Sequence, residues 1–357
     1  MKLGIIGLPG SGKSTVFKAL TGGMEISERK GYQEAGLGVV TVDDPRMDYL
    51  AAYYKTKKLT PVHVEYRDIA GFTGEGEPGR EIGDRVLSQI RPTDALIHCV
   101  RVFDSPLLGP PEPVKDLTRV EEEMILSDLA VVEKRIERLD RDIKKGRKEL
   151  IEELELLRSA LSILGEGKAL RSDPHICDAD KMRGFAFLSA KPELVLLNVG
   201  DTKAPDDVRS TLEAVKGAME GQQRLAFDFL YADTESEIAS MSPDDAREFL
   251  EEFGIEEGAK SRIAQESFRL LNLITFFTAG DKEVHAWALR RGSNSLAAAG
   301  TVHSDMERGF IRAEVVAYDD FVAAGSVAEV HKQGKFRLEG RDYQVRDGDI
   351  VVFRFNI

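Results

Sequence analysis

Residues 3–15 read LGIIGLPGSGKST. An apolar run of strand length breaks at Gly7 into a glycine-rich turn and leads directly to Lys13 and Ser14, the spacing G-x-x-x-x-G-K-[ST]. Glycines at 7, 10 and 12 let backbone N–H groups turn inward onto phosphate oxygens, and a helix starting at Lys13 points its positive end at the same place. On this reading Gly7, Pro9, Gly10, Ser11, Gly12, Lys13, Ser14 and Thr15 cradle a nucleoside triphosphate. Lys13 bridges the β- and γ-phosphates, and the Ser14 hydroxyl ligates Mg²⁺.

Working outward, a second acid is needed at the end of a neighbouring buried strand. VHVEYRDIAG (62–71) supplies Asp68, three residues before Gly71. Asp68 then holds Mg²⁺ through water, and the Gly71 amide senses the γ-phosphate. Lys13, Asp68 and Gly71 are the candidate catalytic set, with Ser14 and Asp68 as the metal pair. Regulatory GTPases place a water-orienting Gln after that Gly, whereas this chain has Phe72, so slow intrinsic turnover is expected. Further on, Asn198, Val199 and Asp201 keep the ends of the guanine-reading N-K-x-D pattern and lose its Lys, and Ala232 and Asp233 fall where a last loop offers N–H groups to a base. ATP and GTP both remain open as substrate.

Apolar runs at LGIIGL, GVVTV, VHVEY, ALIHCVRVF, LVLLN and LAFDFLY, several without polar alternation, predict a mostly parallel sheet covered on both faces. Between them Ile125, Leu129, Val132, Ile136, Leu139 and Ile143, then Leu150, Leu154, Leu157, Leu161 and Leu164, repeat at heptad spacing on either side of Gly146. This predicts an antiparallel coiled-coil hairpin, with a first helix of roughly 28 residues reaching about 40 Å. Short runs at ITFFT, EVHAWAL, IRAEVVA, FRLEG and IVVFRF predict a small α+β domain at the C-terminus. The expected domains are 1–115 with 173–273 (nucleotide-binding, ending in a helical connector from Ser242), 116–172 (hairpin) and 274–357.

The chain has 357 residues, too long for one ordinary core. Its 49 basic and 62 acidic residues give a net −13, which disfavours nucleic acid or anionic membranes except where basic groups are concentrated. From Arg138 to Lys148 six basic residues oppose Asp140 and Asp142, a local +4 at the expected hairpin tip. Such a run is either a solvated helix end or a contact for RNA phosphates. Cys99 and Cys177 have neither disulfide nor metal spacing, no apolar stretch approaches a membrane span, and the start is too short for a signal peptide. A cytoplasmic monomer without membrane association is expected.

Over nearly its whole length the chain resembles the YchF/Obg-like ATPase family. The resemblance rests on GLPGSGKST, DPRMDYL, DIAGFTGEGEPGREIGDRVLSQIRPTDALIHCVRVFD, LNVGDT, TFFTAGDKEVHAWALRRG, HSDMERGFIRAEVVAYDDF and DGDIVVFRF, in that order. It implies a P-loop G domain interrupted by a coiled coil, a C-terminal β-grasp (TGS-like) domain, ATP rather than GTP hydrolysis, a hydrophobic residue in place of the catalytic Gln, and a link to ribosomes. The hairpin tip and the TGS-like domain would then be the surfaces that meet the ribosome or its RNA. Three positions depart from the family. Gly10 stands where a cation-holding Asn is usual, KGYQEAGLGVV replaces the usual first switch, and Asp201 replaces a usual Glu. The leading expectation is a slow, nucleotide-dependent switch. The alternatives are a P-loop kinase or phosphotransferase, which GSGKST also suits but DxxG, NxxD and the TGS-like domain do not require, and a non-hydrolysing binding module.

Overall fold

The computed structural model describes residues 1–22, 36–69, 84–242, 245–246, 248 and 258–356. Gly71, Phe72, the glycine-rich stretch after them and most of KGYQEAGLGVV lie outside the described residues, as does most of the first half of the expected connector.

The chain divides into two compact units, residues 1–40 with 65–270, and 41–64 with 271–357. The first is built on a sheet of six strands, β1 (Lys2–Ile6), β2 (Gly36–Thr41), β4 (His63–Asp68), β5 (Ala95–Val102), β6 (Glu193–Val199) and β7 (Leu225–Leu230), in the order β2-β4-β1-β5-β6-β7. The pairs β4/β1, β1/β5, β5/β6 and β6/β7 are all parallel. Every residue of β5 and β6 is buried, as continuous apolar runs require of strands covered on both faces. The expected α/β fold with a mostly parallel sheet is therefore observed. Because β1 sits between β4 and β5, the loop leaving its C-terminal end opens between neighbours reached by different crossovers, the place where open α/β sheets bind ligands.

Helix α1 (Lys13–Thr21) follows β1 directly, and α2 (Arg46–Tyr54) and α3 (Asp84–Ile90) come later. The heptads form α4 (Pro113–Lys144) and α5 (Ile151–Gly165). Ile125, Val132, Leu139, Leu154, Leu157 and Leu164 are buried along their seam, and Leu129, Ile136, Ile143, Leu150 and Leu161 pack beside them. Pro113 opens α4, since its missing N–H is one the first turn leaves unbonded anyway. Gly146 turns the chain at φ 101°, a left-handed conformation that a Cβ disfavours. The ion pairs Arg135–Glu153 at 2.7 Å and Arg158–Asp140 at 3.3 Å cross the hairpin.

At the root of the hairpin, Arg171 is fully buried. Its Nη1 meets the carboxylates of Glu121 on α4, at 3.0 Å, and of Glu193 on β6, and its Nε donates to the Lys191 carbonyl at 3.1 Å. His98 on β5 shares the second carboxylate at 2.7 Å. Burial opposes ionisation of Glu193, but Arg171 and His98 overcome it and hold this carboxyl low, whereas burial pushes Glu121 well up. His98, Glu121 and Glu193 are the one cluster among the described residues with spacing suited to a metal ion, and the Arg171 guanidinium already supplies its positive charge.

The second unit carries the sheet β11-β10-β12-β8-β9-β3, formed by β3 (Leu59–Thr60), β8 (Leu273–Ala279), β9 (Val284–Arg290), β10 (Phe310–Ala317), β11 (Arg337–Glu339) and β12 (Asp349–Phe355). Its core joins Phe276, Leu289, Phe310, Val351 and Phe353 under the helix Ser295–Val302. The sequence reading placed residues 41–64 in the nucleotide-binding domain, and here the structure differs. This segment gives β3, parallel to β9, and α2, whose Tyr53 and Tyr54 lie against Phe321 with ring centroids 4.8 and 6.2 Å apart. Arg46 completes the attachment, pairing with Asp347 at 2.7 Å and lying 5.1 Å above the Phe277 ring.

Candidate functional site

The loop between β1 and α1 turns through Gly7, Gly10 and Gly12 at φ 147°, 76° and 89°. Space as well as φ demands glycine there. A Cβ on Gly7 would stand 2.4 Å from the Cys99 carbonyl oxygen, and one on Gly12 would stand 2.1 Å from Asn198 Nδ2. The loop is thus pressed against β5 at Cys99 and against the end of β6 at Asn198. The Ser11 carbonyl is the tie point, accepting from Asn198 Nδ2 at 3.0 Å and from the Cys99 thiol at 3.2 Å. Burial pushes Cys99 up to about 11, so the thiol keeps its proton and remains a donor.

Lys13 is buried at the root of α1, and its Nζ donates to the carbonyls of Gly7 at 3.1 Å and Leu8 at 2.8 Å. Burial lowers its pKa, with the Asp68 carboxylate working in the opposite sense. Ser14, exposed one residue later, donates its hydroxyl to Asp68 Oδ2 at 2.7 Å. Asp68 reaches it because it ends β4 in register with Ile5 of β1. The structure therefore brings Lys13, Ser14 and Asp68 together across 54 residues of sequence.

This donor set fits Mg²⁺. A hydroxyl and a carboxylate are hard oxygen ligands of the kind that hold the ion by one or two protein contacts and leave its other positions to water and phosphate. The Ser11 hydroxyl is also buried in the loop without a hydrogen-bond partner among the described residues, a polar atom of the sort an incoming phosphate oxygen would satisfy. Ser14 and Asp68 would hold the ion, which when bound neutralises charge on the phosphates.

The base-side residues lie at the ends of β6 and β7. Asn198, marked by its pattern as a base-side residue, donates one amide hydrogen to the Ser11 carbonyl. Val199 is buried among Val100, Val102 and Val208, so its side chain faces the core and only its main chain is left for a ligand. Asp201 Oδ1 accepts a hydrogen bond from the Thr234 hydroxyl at 2.7 Å. Thr234 belongs to the helix Ala232–Ile238, where Ala232 is buried and Asp233 exposed.

Sequence reasoning passed over a second wall. Arg101, nearly buried, donates to the carbonyls of Phe103, Gly109 and Pro110 at 2.8–3.1 Å and so fixes the loop that follows β5. That loop sets the Phe103 side chain beside both Gly12 and Gly200, and Leu108 over Gly10, where an added Cβ would stand 2.6 Å from Leu108 Cδ1. The signal was present as a single aromatic residue ending the β5 run, VRVF, but nothing local ties it to the phosphate loop.

A parallel sheet whose first strand ends in a backbone cradle, with a lysine at the root of the next helix and an acid on the adjoining strand, defines the P-loop nucleoside-triphosphatases. Residues 2–145 match the family profile described as "50S ribosome-binding GTPase", and 273–356 match that of the YchF GTPase C-terminal region, described as a protein of unknown function. Over 100% of its length the chain is 38% identical to the ribosome-binding ATPase YchF of Pasteurella multocida, covering 99% of that protein, and over 99% it is 36% identical to that of Bacillus subtilis, again covering 99%. The chain belongs to the YchF family. The solved Schizosaccharomyces pombe YchF GTPase is similar throughout, with a TM-score of 0.84 at 27% identity over 99% of this chain and 97% of that one. Among the described residues no helix is long and apolar enough to cross a membrane.

Proposed function

We propose that this protein binds Mg-ATP at Gly7–Thr15 and Asp68, hydrolyses it slowly, and works as a nucleotide-dependent switch on the ribosome. The observation that carries the reading is the meeting of Lys13, Ser14 and Asp68 beside a loop whose glycines leave no room for side chains. Phe72 in place of a water-orienting Gln supports turnover of the order of 10⁻⁴ to 10⁻² s⁻¹. Two further points favour ATP. The curated relatives are named ATPases, and one oxygen of Asp201, the acid that would read guanine, already accepts from Thr234.

Partners are inferred from the relatives' description as ribosome-binding and from charge. Arg138, Arg141, Lys144, Lys145, Arg147 and Lys148 are all exposed around the α4–α5 turn, a concentrated basic tip on an acidic chain. We assign it to rRNA phosphates, with the C-terminal unit as a second contact surface and the protein acting as a cytoplasmic monomer.

Competition between ATP and GTP for the Mg-loaded site tests the nucleotide assignment, and a GTP preference near 10⁴-fold would show that Asp201 reads guanine. Lys13→Ala should abolish phosphate release, and undiminished turnover in that variant would remove the phosphate site from the argument. Charge reversal at Lys144, Lys145, Arg147 and Lys148 should weaken co-sedimentation with ribosomes and flatten its salt dependence. Unaltered co-sedimentation across a salt series would reduce the tip to a solvated helix end.

A further inference from the structure

The second unit holds an aromatic cleft for which the nucleotide site has no use. Trp287 on β9 is the only tryptophan in the chain. Its ring stacks on that of His285, two residues earlier on the same face, with centroids 3.6 Å apart and planes 9° from parallel. Its Nε1 donates to Thr278 Oγ1 on the paired strand β8 at 3.0 Å, which fixes the tilt of the indole. The two rings, with Met306 and Phe353, wall a cleft of about 320 Å³. A tryptophan serving only the core would be covered, yet both rings remain partly exposed.

The polar groups at the mouth narrow the choice of ligand. Glu283 is held by Lys58 Nζ at 2.9 Å and by the Thr60 hydroxyl, and these two hydrogen bonds keep its carboxyl ionised below the usual range. Burial lowers His285, so near neutral pH the stacked imidazole carries no charge. The cleft therefore offers a neutral, flat, polarisable wall and one fixed acceptor. The Lys58 side chain, 68% exposed, stands against Glu283 of the cleft wall, and Lys282, also exposed, precedes Glu283 in the chain. A phosphate would be repelled from the cleft by Glu283 and drawn to the rim by the lysines. A volume at the low end of ligand clefts, which run from about 300 to 1,000 Å³, admits one nucleoside unit rather than a folded peptide.

We propose that this cleft captures one unpaired base of single-stranded RNA, stacked on the His285–Trp287 pair with its exocyclic amine donating to Glu283 and its backbone phosphates outside by Lys58 and Lys282. Unpaired bases are read in this way because each has a π-face for stacking and an edge that a fixed acceptor can distinguish. Adenine and cytosine carry the amine and uracil does not. The inference extends the reading of the C-terminal unit as an RNA contact. Its test uses short oligonucleotides without ribosomes, so that it and the hairpin assignment can fail separately.

Because Trp287 is the single indole, its emission reports the cleft directly. The full-length protein, with Mg-ATP present throughout, is titrated with hexamers of A, C or U, with AMP and CMP, and with a 12-base-pair RNA duplex. Saturable quenching by A and C hexamers is expected, with weaker binding of U hexamer and of the free monophosphates, and none by duplex. His285→Ala should weaken hexamer binding about tenfold, and Glu283→Gln should erase the preference for A and C over U, both with unchanged ATP hydrolysis and unfolding midpoint. Trp287→Phe, followed by anisotropy of a labelled hexamer, should bind measurably more weakly while hydrolysing ATP normally, which separates loss of the platform from loss of the fold. Absence of quenching by every hexamer, equal quenching by duplex, tighter capture of free AMP than of A hexamer, or parental affinity in the His285→Ala and Trp287→Phe variants would overturn the proposal.

Discussion

Substitution of Gly12 by alanine tests the phosphate loop at the point where geometry is least forgiving. Gly12 sits at φ 89°, and an added Cβ would fall 2.1 Å from Asn198 Nδ2. Left-handed backbone costs an L-residue roughly 1–2 kcal/mol. Displacing the Asn198 amide also breaks its bond to the Ser11 carbonyl, a net loss of about 0.5–1.5 kcal/mol. The sum is about 1.5–3.5 kcal/mol. The loop can relax part of this strain when no phosphate is bound, but it must restore the cradle to bind one, so the cost appears in affinity. At about 1.4 kcal/mol per factor of ten, Mg-ATP affinity should fall roughly 10- to 300-fold. Titration calorimetry measures this directly, and Gly146→Ala is the matched control. Gly146 has a comparable φ of 101°, yet nothing lies within 4 Å of where its Cβ would go. That variant should lose some stability and no nucleotide affinity. A Gly12→Ala protein that binds Mg-ATP within about threefold of the parent would refute the argument that the Asn198 brace and the loop conformation are one device.

Arg171→Met should destabilise the first unit by about 3–5 kcal/mol, because it leaves the buried carboxyls of Glu121 and Glu193 without their shared cation. Urea unfolding measures it; adding Glu121→Gln should recover part of the loss, and a cost under about 1 kcal/mol would show that the cluster does not depend on the guanidinium. Lys191 supplies a pH test. Burial lowers it from an ordinary 10.5 to about 8, so between those values the unfolded chain holds a proton that the folded one has released, and its contribution to stability rises with pH over that window. Lys191→Met should remove this rise from the alkaline arm of a stability profile, and an identical arm in both proteins would contradict the assignment.

What the sequence made legible was whatever is encoded at short range. The phosphate loop is a fixed spacing over eight residues, 7–14. The hairpin is a period, and its seam residues, from Ile125 to Leu164, are those the heptads mark. Strand runs such as ALIHCVRVF announce their burial by lacking polar alternation. The failures share the opposite property. Residues 41–64 carry a helix and a two-residue strand with no strong signal, and partners such as Lys282, 226 positions from Thr56, decide where they belong. Asn198 shows a different limit, because its pattern marks it as a base-side residue while the structure adds a brace to the phosphate loop. A motif states which polar groups are present, but not which other groups compete for them. Here one amide hydrogen of Asn198 goes to the Ser11 carbonyl, 187 residues away, and one Asp201 oxygen accepts from Thr234. The bond from Thr234 to Asp201 Oδ1 fixes the orientation of this carboxylate beside the base site, and it exists only once β6 and the helix Ala232–Ile238 have been brought side by side.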